Sequence, residues 1–328
     1  MYRFWSSIIE SALDAADARS IVEIGAWTGK TTRPLLDFAK KHGGTVHCID
    51  PEPLFDSASW EREFPETFRF HRGLSLDVLP NLPAFDAVLI DGDHNWYTVF
   101  HELTLIANHA KNRGRFPLTL LHDVCWPYGR RDLYHDPFRI PEAFRHPWAR
   151  KGMSIGNDAL ADNGFNDECV NAMHEGSPRN GVLTAIEDFL QNHEHLQFTV
   201  IPGHFGLGIL ADRRSFEECP PLRKFWRSLT FATPIRNHIE SLERAVITAE
   251  TCNQRRLRDY RQLAQTTAAL RAKLAQIQKQ LTQCHEQIAQ CHAQAAAIIS
   301  RMKQTKSWRY TALFRHICDF FRSRINSQ

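Results

Sequence analysis

Short apolar runs alternate with helical stretches over residues 20–124. SIVEIG (20–25), TVHCID (45–50), FRFHRG (68–73), FDAVLIDG (85–92) and LTLLHDV (118–124) read as five strands. Helices are predicted over 29–42, closed by Gly43-Gly44, and over 95–111. Near-continuous apolar strands separated by helices imply a parallel sheet covered on both faces. NGVLTAIEDFLQNH (180–193) then reads as a helix. FTVIP (198–202) and GLGILA (206–211) read as strands joined by a short turn, which pairs them antiparallel. The predicted fold class is α/β: five parallel strands, a helix and a terminal hairpin.

Two stretches depart from this rhythm. Residues 125–179 carry Pro127, Pro137, Pro141, Pro147 and Pro178 among aromatics and arginines. Long irregular segments in compact domains tend to be lids or binding loops, so 125–179 reads as an acceptor-binding insertion; a surface-packed structural insertion is the alternative. From Ile239 to Met302, seam positions recur at alternating spacings of 3 and 4. The seam includes Leu270, Leu274, Ile277, Leu281 and Ile288, is interrupted by Asn253, Arg256 and Thr267, and contains neither Pro nor Gly. That is a coiled-coil pattern, about nine heptads long. Asn253 in the seam favours a dimer, whereas Leu274 with Ile277 suits three or more strands. The chain therefore divides into a body (1–235), a coiled coil (236–305) and a tail (306–328).

Charge follows the same division. Residues 1–235 hold 24 basic against 31 acidic side chains, and residues 301–328 hold 7 against 1. The acidic body argues against nucleic acid as a partner, because phosphate neutralisation needs a basic face. The tail KSWRYTALFRHICDFFRSR mixes aromatics with arginines, as a helix lying in a membrane interface does; a terminal helical cap is the alternative. No apolar run reaches the ~18–20 residues needed to span a bilayer. The first twenty residues lack a signal-peptide core. The 8 cysteines form no CxxC pair, which predicts reduced thiols in the cytoplasm.

The candidate chemistry sits at strand ends. VEIGAWTGKTT places Glu23, Gly25, Gly29 and Thr31 between a strand and a helix, where small residues let a nucleotide-like ligand approach the backbone. The glycines stand four apart, so this is not the GxGxxG of dinucleotide binders, and nicotinamide-dependent oxidoreduction is disfavoured. Asp50, ending the second strand, suits two ribose hydroxyls, and Ser75 after the third suits the edge of an adenine. IDGDHNWY gives Asp91, Asp93 and His94 at the end of the fourth strand, and LLHDV gives His122 and Asp123 at the end of the fifth. Adjacent parallel strands lie ~4.8 Å apart, so Asp91 and Asp123 can converge on one divalent cation. Asp93 alternatively caps the following helix.

VEIGAWTGKTT, VHCIDPEP, IDGDHNWY and LLHDV resemble the motifs of class I S-adenosylmethionine-dependent methyltransferases. The nearest likeness is to the branch holding macrolide and aminocoumarin sugar O-methyltransferases and cephalosporin-hydroxylase-like proteins. The resemblance spans about residues 5–212 and implies a Rossmann-like, seven-stranded methyltransferase sheet with its last strand antiparallel. It implies S-adenosylmethionine at Glu23, Gly25, Gly29, Thr31, Asp50, Ser75 and Asp91, and Mg2+ at Asp91 and Asp123, with Asp93 or His94 as base; His122, next to Asp123, is a further candidate ligand. Those relatives carry two adjacent acids after the fifth strand, where this chain has His122-Asp123. Trp126, Tyr128, Arg130, Arg131, Tyr134 and Arg179 are candidates for holding the acceptor, the arginines for an anionic group and the rings for a sugar face; structural ion pairs are the alternative for the arginines. SWRYTALFR is similar to the SWRxTxPLR signature that follows coiled coils in bacterial enzymes of cell-surface polysaccharide assembly, with Leu313 in place of Pro. The resemblance thus implies methylation of a glycan hydroxyl, self-association as a dimer or trimer, and a tail that meets the membrane or a glycosyltransferase. A vestigial scaffold or length-measuring protein is the alternative from another class.

Overall fold

The structure is a computed structural model and describes residues 1–325. Its strands are β1 (Ser20–Ile24), β2 (Thr45–Ile49), β3 (Phe68–His71), β4 (Ala87–Ile90), β5 (Leu118–His122), β6 (Leu133–Tyr134), β7 (Trp148–Arg150), β8 (Val170–Ala172), β9 (Leu196–Ile201) and β10 (Leu207–Asp212). Seven of them form one sheet in the order β3-β2-β1-β4-β5-β10-β9. The strands from β3 to β5 pair in parallel, and β10 runs antiparallel to both β5 and β9. The parallel core and the antiparallel hairpin are those the alternating pattern predicted, and the seven-stranded, Rossmann-like methyltransferase sheet with its last strand reversed is the one the motif resemblance implied. The reversal follows from the short turn at 202–206, which leaves no room for a crossover helix.

Successive residues of the central strands supply two cores. Ile21, Val46, Leu89 and Leu120 face one side, with Leu13 and with Leu35 of the helix Thr32–His42. Val22, Ile49, Val88 and Leu121 face the other, with Leu103 of the helix Trp96–Arg113 and Ile186 of the helix Val182–Leu190. Both faces are covered, which is why these strands lack the alternation of a half-exposed sheet. The helix Trp96–Arg113 is capped by Asn95, whose side chain accepts from Thr98 N at 2.9 Å. The cap is therefore Asn95 and not Asp93, which instead accepts from the Thr98 hydroxyl at 3.1 Å.

The insertion has a fold of its own, a small antiparallel sheet in the order β6-β8-β7. A buried polar network builds it. Asp132 accepts from the backbone N–H groups of Trp96 and Gly181 and from the Tyr134 hydroxyl, and Asn180 accepts from Asp132 N. Arg131 is fully buried, donating to the carbonyls of Ala172 and Asp158.

Residues Thr233–Gln304 form one continuous helix. The chain separates into two compact units, Met1–Arg255 and 256–328. The first unit runs past the expected boundary at 235 because the start of the long helix packs onto the insertion. Ile247 is buried with Tyr128, Met153 and Phe165, and Gln254 bonds Asn166 in both directions. In the second unit the predicted seam residues Leu270, Leu274, Ile277, Leu281 and Ile288 are each more than half exposed. The Thr305 hydroxyl caps the helix Lys306–Tyr310, and a last helix covers Ala312–Ile325. No described helix is long and apolar enough to cross a membrane.

Candidate active site

The turn after β1 is shaped by Gly25, whose φ of +83° lies in the left-handed region and where a Cβ would stand 2.3 Å from the Asp91 carbonyl. β1 and β4 can therefore end side by side only with glycine here. Asp50, at the end of β2, holds this turn. One of its carboxylate oxygens accepts from Ala26 N and Trp27 N, both at 2.8 Å, and the other accepts from Glu52 N. The acid predicted to read a ribose thus organises the loop first, keeping acceptor capacity on one oxygen. Gly29 and Thr31 complete the turn, and Thr31 stands at the N-terminal end of the helix Thr32–His42.

Glu23, on β1, is buried, and neither of its oxygens has a hydrogen-bond partner with good geometry. Burial pushes its carboxyl up to about 7, against weaker help from Thr32 and Cys48. Glu102 repeats the pattern: it is fully buried on the helix Trp96–Arg113 beside Ser75, and burial pushes it up to about 8. The sequence signal for Glu102 was there to be read, since it interrupts the apolar stripe of Val99, Leu103 and Ile106. Ser75 is itself largely buried at the first position of a short helix.

At the ends of β4 and β5 four titratable groups converge. Asp91, His122 and Asp123 each present one ligand atom, and these atoms lie within 4.8 Å of one another. His122 Nδ1 is 3.0 Å from Asp91 and 3.4 Å from Asp123. His94 bridges the same carboxylates, with Nδ1 2.9 Å from Asp123 and Nε2 3.5 Å from Asp91. The Met1 ammonium lies 2.7 Å from the other Asp91 oxygen. Asp123 has a φ of +59°, in the left-handed region that few non-glycine residues adopt. Burial opposes charge on both histidines, yet the facing carboxylates outweigh it and hold His94 at about 10 and His122 at about 9. Burial likewise opposes charge on Asp91 and Asp123, and the histidines outweigh it, holding both well below the usual carboxylate range. Both ring nitrogens of His94 face carboxylates. His94 and Asp93 therefore both border the cluster as the two candidate bases, His94 between the carboxylates and Asp93 on the Thr98 hydroxyl.

The predicted acceptor residues divide. The Tyr128 ring lies 5.9 Å from the His94 ring but is buried in the insertion's apolar cluster, and Trp126 packs at a tilt on Phe165. Arg131 and Tyr134 are corrected: both are buried within the insertion and tied to its own groups, so they build it and do not face an acceptor. Arg130 makes a two-pronged pair with Glu187, and Arg179 lies over the rings of Trp96 and Phe144.

The residues present fit both implied groups. Glu23 is an orphaned buried carboxylate beside a glycine turn, suited to an ammonium group such as that of a methionine moiety. The cluster of two carboxylates and an imidazole suits a divalent cation, and the nitrogen donor favours Mn2+ over Mg2+.

No curated protein matches the chain. Solved structures similar to it include a Staphylococcus aureus protein described as a caffeoyl-CoA O-methyltransferase, at 13% identity and a TM-score of 0.39, over 62% of this chain and 80% of that one. A Podospora anserina methyltransferase bound to S-adenosylhomocysteine gives 13% and 0.38, over 62% and 76%. Human N-acetylserotonin methyltransferase with S-adenosylmethionine gives 17% and 0.37, over 64% and 53%. Scores at this level carry no argument about chemistry. The family model described as a methyltransferase domain matches residues 22–124, the segment from β1 to the end of β5 that holds all four groups of the cluster, with Met1 outside it.

Proposed function

We propose that the chain transfers a methyl group from S-adenosylmethionine to a hydroxyl oxygen of a sugar in a cell-surface glycan. One observation carries the chemistry: Asp91, His122 and Asp123 meet within 4.8 Å at the ends of β4 and β5, in the segment that matches a methyltransferase domain. S-adenosylmethionine, when bound, supplies a methyl group already activated by its sulfonium. Glu23 and the Gly25 turn orient that ligand, and proximity does most of the catalytic work. Asp91, His122 and Asp123 would hold a divalent cation that lowers the pKa of an acceptor hydroxyl. Asp93, which accepts from Thr98, or His94 takes the hydroxyl proton. The sugar acceptor rests on the motif resemblance.

Calorimetry with S-adenosylmethionine and with Mn2+ tests both ligands. Wild-type chain binds both, and Asp91→Asn lowers Mn2+ affinity at least about tenfold. A chain that binds neither is the vestigial scaffold instead. Incubation of labelled S-adenosylmethionine with glycan, phosphate-bearing and small-molecule acceptors then assigns the substrate; label on a non-sugar acceptor alone refutes the glycan.

The proposal extends to partners. The exposed seam of 256–304 pairs with a second copy of the chain, as apolar heptads require a mate. In the last helix Leu313, Phe314, Ile317, Phe320 and Phe321 share one face, and Arg309, Arg315 and Arg322 supply charge for an anionic membrane surface on the cytoplasmic side. Flotation with vesicles containing anionic lipid, against neutral vesicles, tests this; binding to neither refutes the membrane and leaves a protein partner.

A further inference from the structure

Residues 203–206, between β9 and β10, lie one after another in the left-handed region, with φ values of +100°, +47°, +69° and +86°. Gly203 and Gly206 adopt it readily, but His204 and Phe205 do so only at a steric cost. Strain of this kind persists only where the surroundings impose it. Here both ends of a single peptide unit are held. The His204 carbonyl stands 3.0 Å from His122 Nε2, and the next N–H, that of Phe205, donates to Glu243 Oε1 at 2.8 Å. Glu243 lies on the long helix, four residues before Ile247, which is buried with the insertion.

This peptide unit settles which way His122 faces. A carbonyl can only accept, so His122 carries a hydrogen on Nε2 and directs Nδ1 at Asp91 and Asp123. A metal-binding histidine is usually oriented in this way, by donating its other ring N–H to a carbonyl. If the peptide turned over, its N–H would point at His122 and Nε2 could no longer donate. The Glu243 carboxylate opposes that turn with a charge-assisted hydrogen bond.

We propose that Glu243 is a positioning residue for the cation site: it locks the His204–Phe205 peptide so that His122 presents Nδ1 to the ion. This rests on the cation reading above, and it makes the first turns of the long helix part of the active site's support.

The test uses the full chain and two readouts, Mn2+ affinity by calorimetry and solvent exchange of the His122 Nε2 proton by NMR without metal. Wild-type chain and Glu243→Gln, whose amide oxygen accepts the same N–H, keep the proton protected and bind Mn2+ alike. Glu243→Ala and Glu243→Asp, the latter too short to reach, expose the proton and weaken Mn2+ about tenfold. Melting curves verify that each variant is folded, and either of the two short variants serves if the other is not. An unchanged proton and affinity in both overturn the proposal, as does a Gln variant that behaves like Ala. If wild-type chain takes up no Mn2+ while the proton still responds to Glu243, positioning stands and the cation reading falls. If Mn2+ binds all variants equally and the proton does not respond, the reverse holds.

Discussion

Glu102 shows how one buried group governs behaviour with pH. Its carboxyl is raised to about 8 from an ordinary 4.5, so the folded chain holds a proton that the unfolded chain releases. Its contribution to stability is complete below pH 4.5 and is lost as pH rises through about 8. Glu102→Gln removes this dependence. Urea denaturation at pH 5 and pH 8.5 should show the wild type losing on the order of a few kcal/mol relative to the variant. Equal losses in both would place the dependence elsewhere. Glu23, at about 7, acts in the same direction over a narrower range, and a bound ammonium group beside it would reverse its preference by favouring the carboxylate. The site therefore needs its ligand in order to hold this acid charged, which predicts that S-adenosylmethionine releases a proton on binding at pH 6. Calorimetry in two buffers of different ionisation enthalpy measures that release.

At the scale of elements, the turn after β1 and the helix after β4 place the chemistry. Gly25→Ala would drive a methyl group into the Asp91 backbone at 2.3 Å in a conformation that alanine resists. The variant should melt well below the wild type and lose Mn2+ binding, because Asp91 moves with that backbone. Asn95→Ala removes the cap of the helix Trp96–Arg113 and should cost about 1 kcal/mol by chemical denaturation. Much of this was legible beforehand. The five parallel strands, the hairpin and the cluster at the ends of β4 and β5 followed from apolar runs and from acids and histidines placed at their ends. Asp93 and Asn95 are equally good capping types, and only the backbone geometry at the helix start assigns the cap to Asn95 rather than to the alternative, Asp93. The insertion was legible as an interruption but not as a sheet. Its strands are two and three residues long, below the length at which a period shows, and buried Asp132, Arg131 and Asn180 replace an apolar signal.

At the scale of the whole molecule, the first unit holds the candidate site and the second presents the seam. The proposed pairing through the seam predicts that Leu274→Lys with Leu281→Lys turns an associated wild-type chain into a monomer in analytical ultracentrifugation, and a monomeric wild type refutes it. Retained self-association would move the interface off the seam. The long helix serves both units, since Glu243 and Ile247 belong to the first and Leu274 and Leu281 to the second.

The sequence alone determined whatever depends on periodicity and local chemistry. The strand order's parallel core, the reversed last strand, the heptad seam and the acids and histidines at strand ends all repeat at spacings that one chain segment displays. Tertiary structure alone decided the roles of single polar groups. It turned Arg131 and Tyr134 inward, set both nitrogens of His94 against carboxylates, and brought Glu243 to the peptide beside His122 across 121 residues of chain. Those outcomes depend on which partner lies within about 3 Å, and the separation of residues along the chain carries no information about that distance.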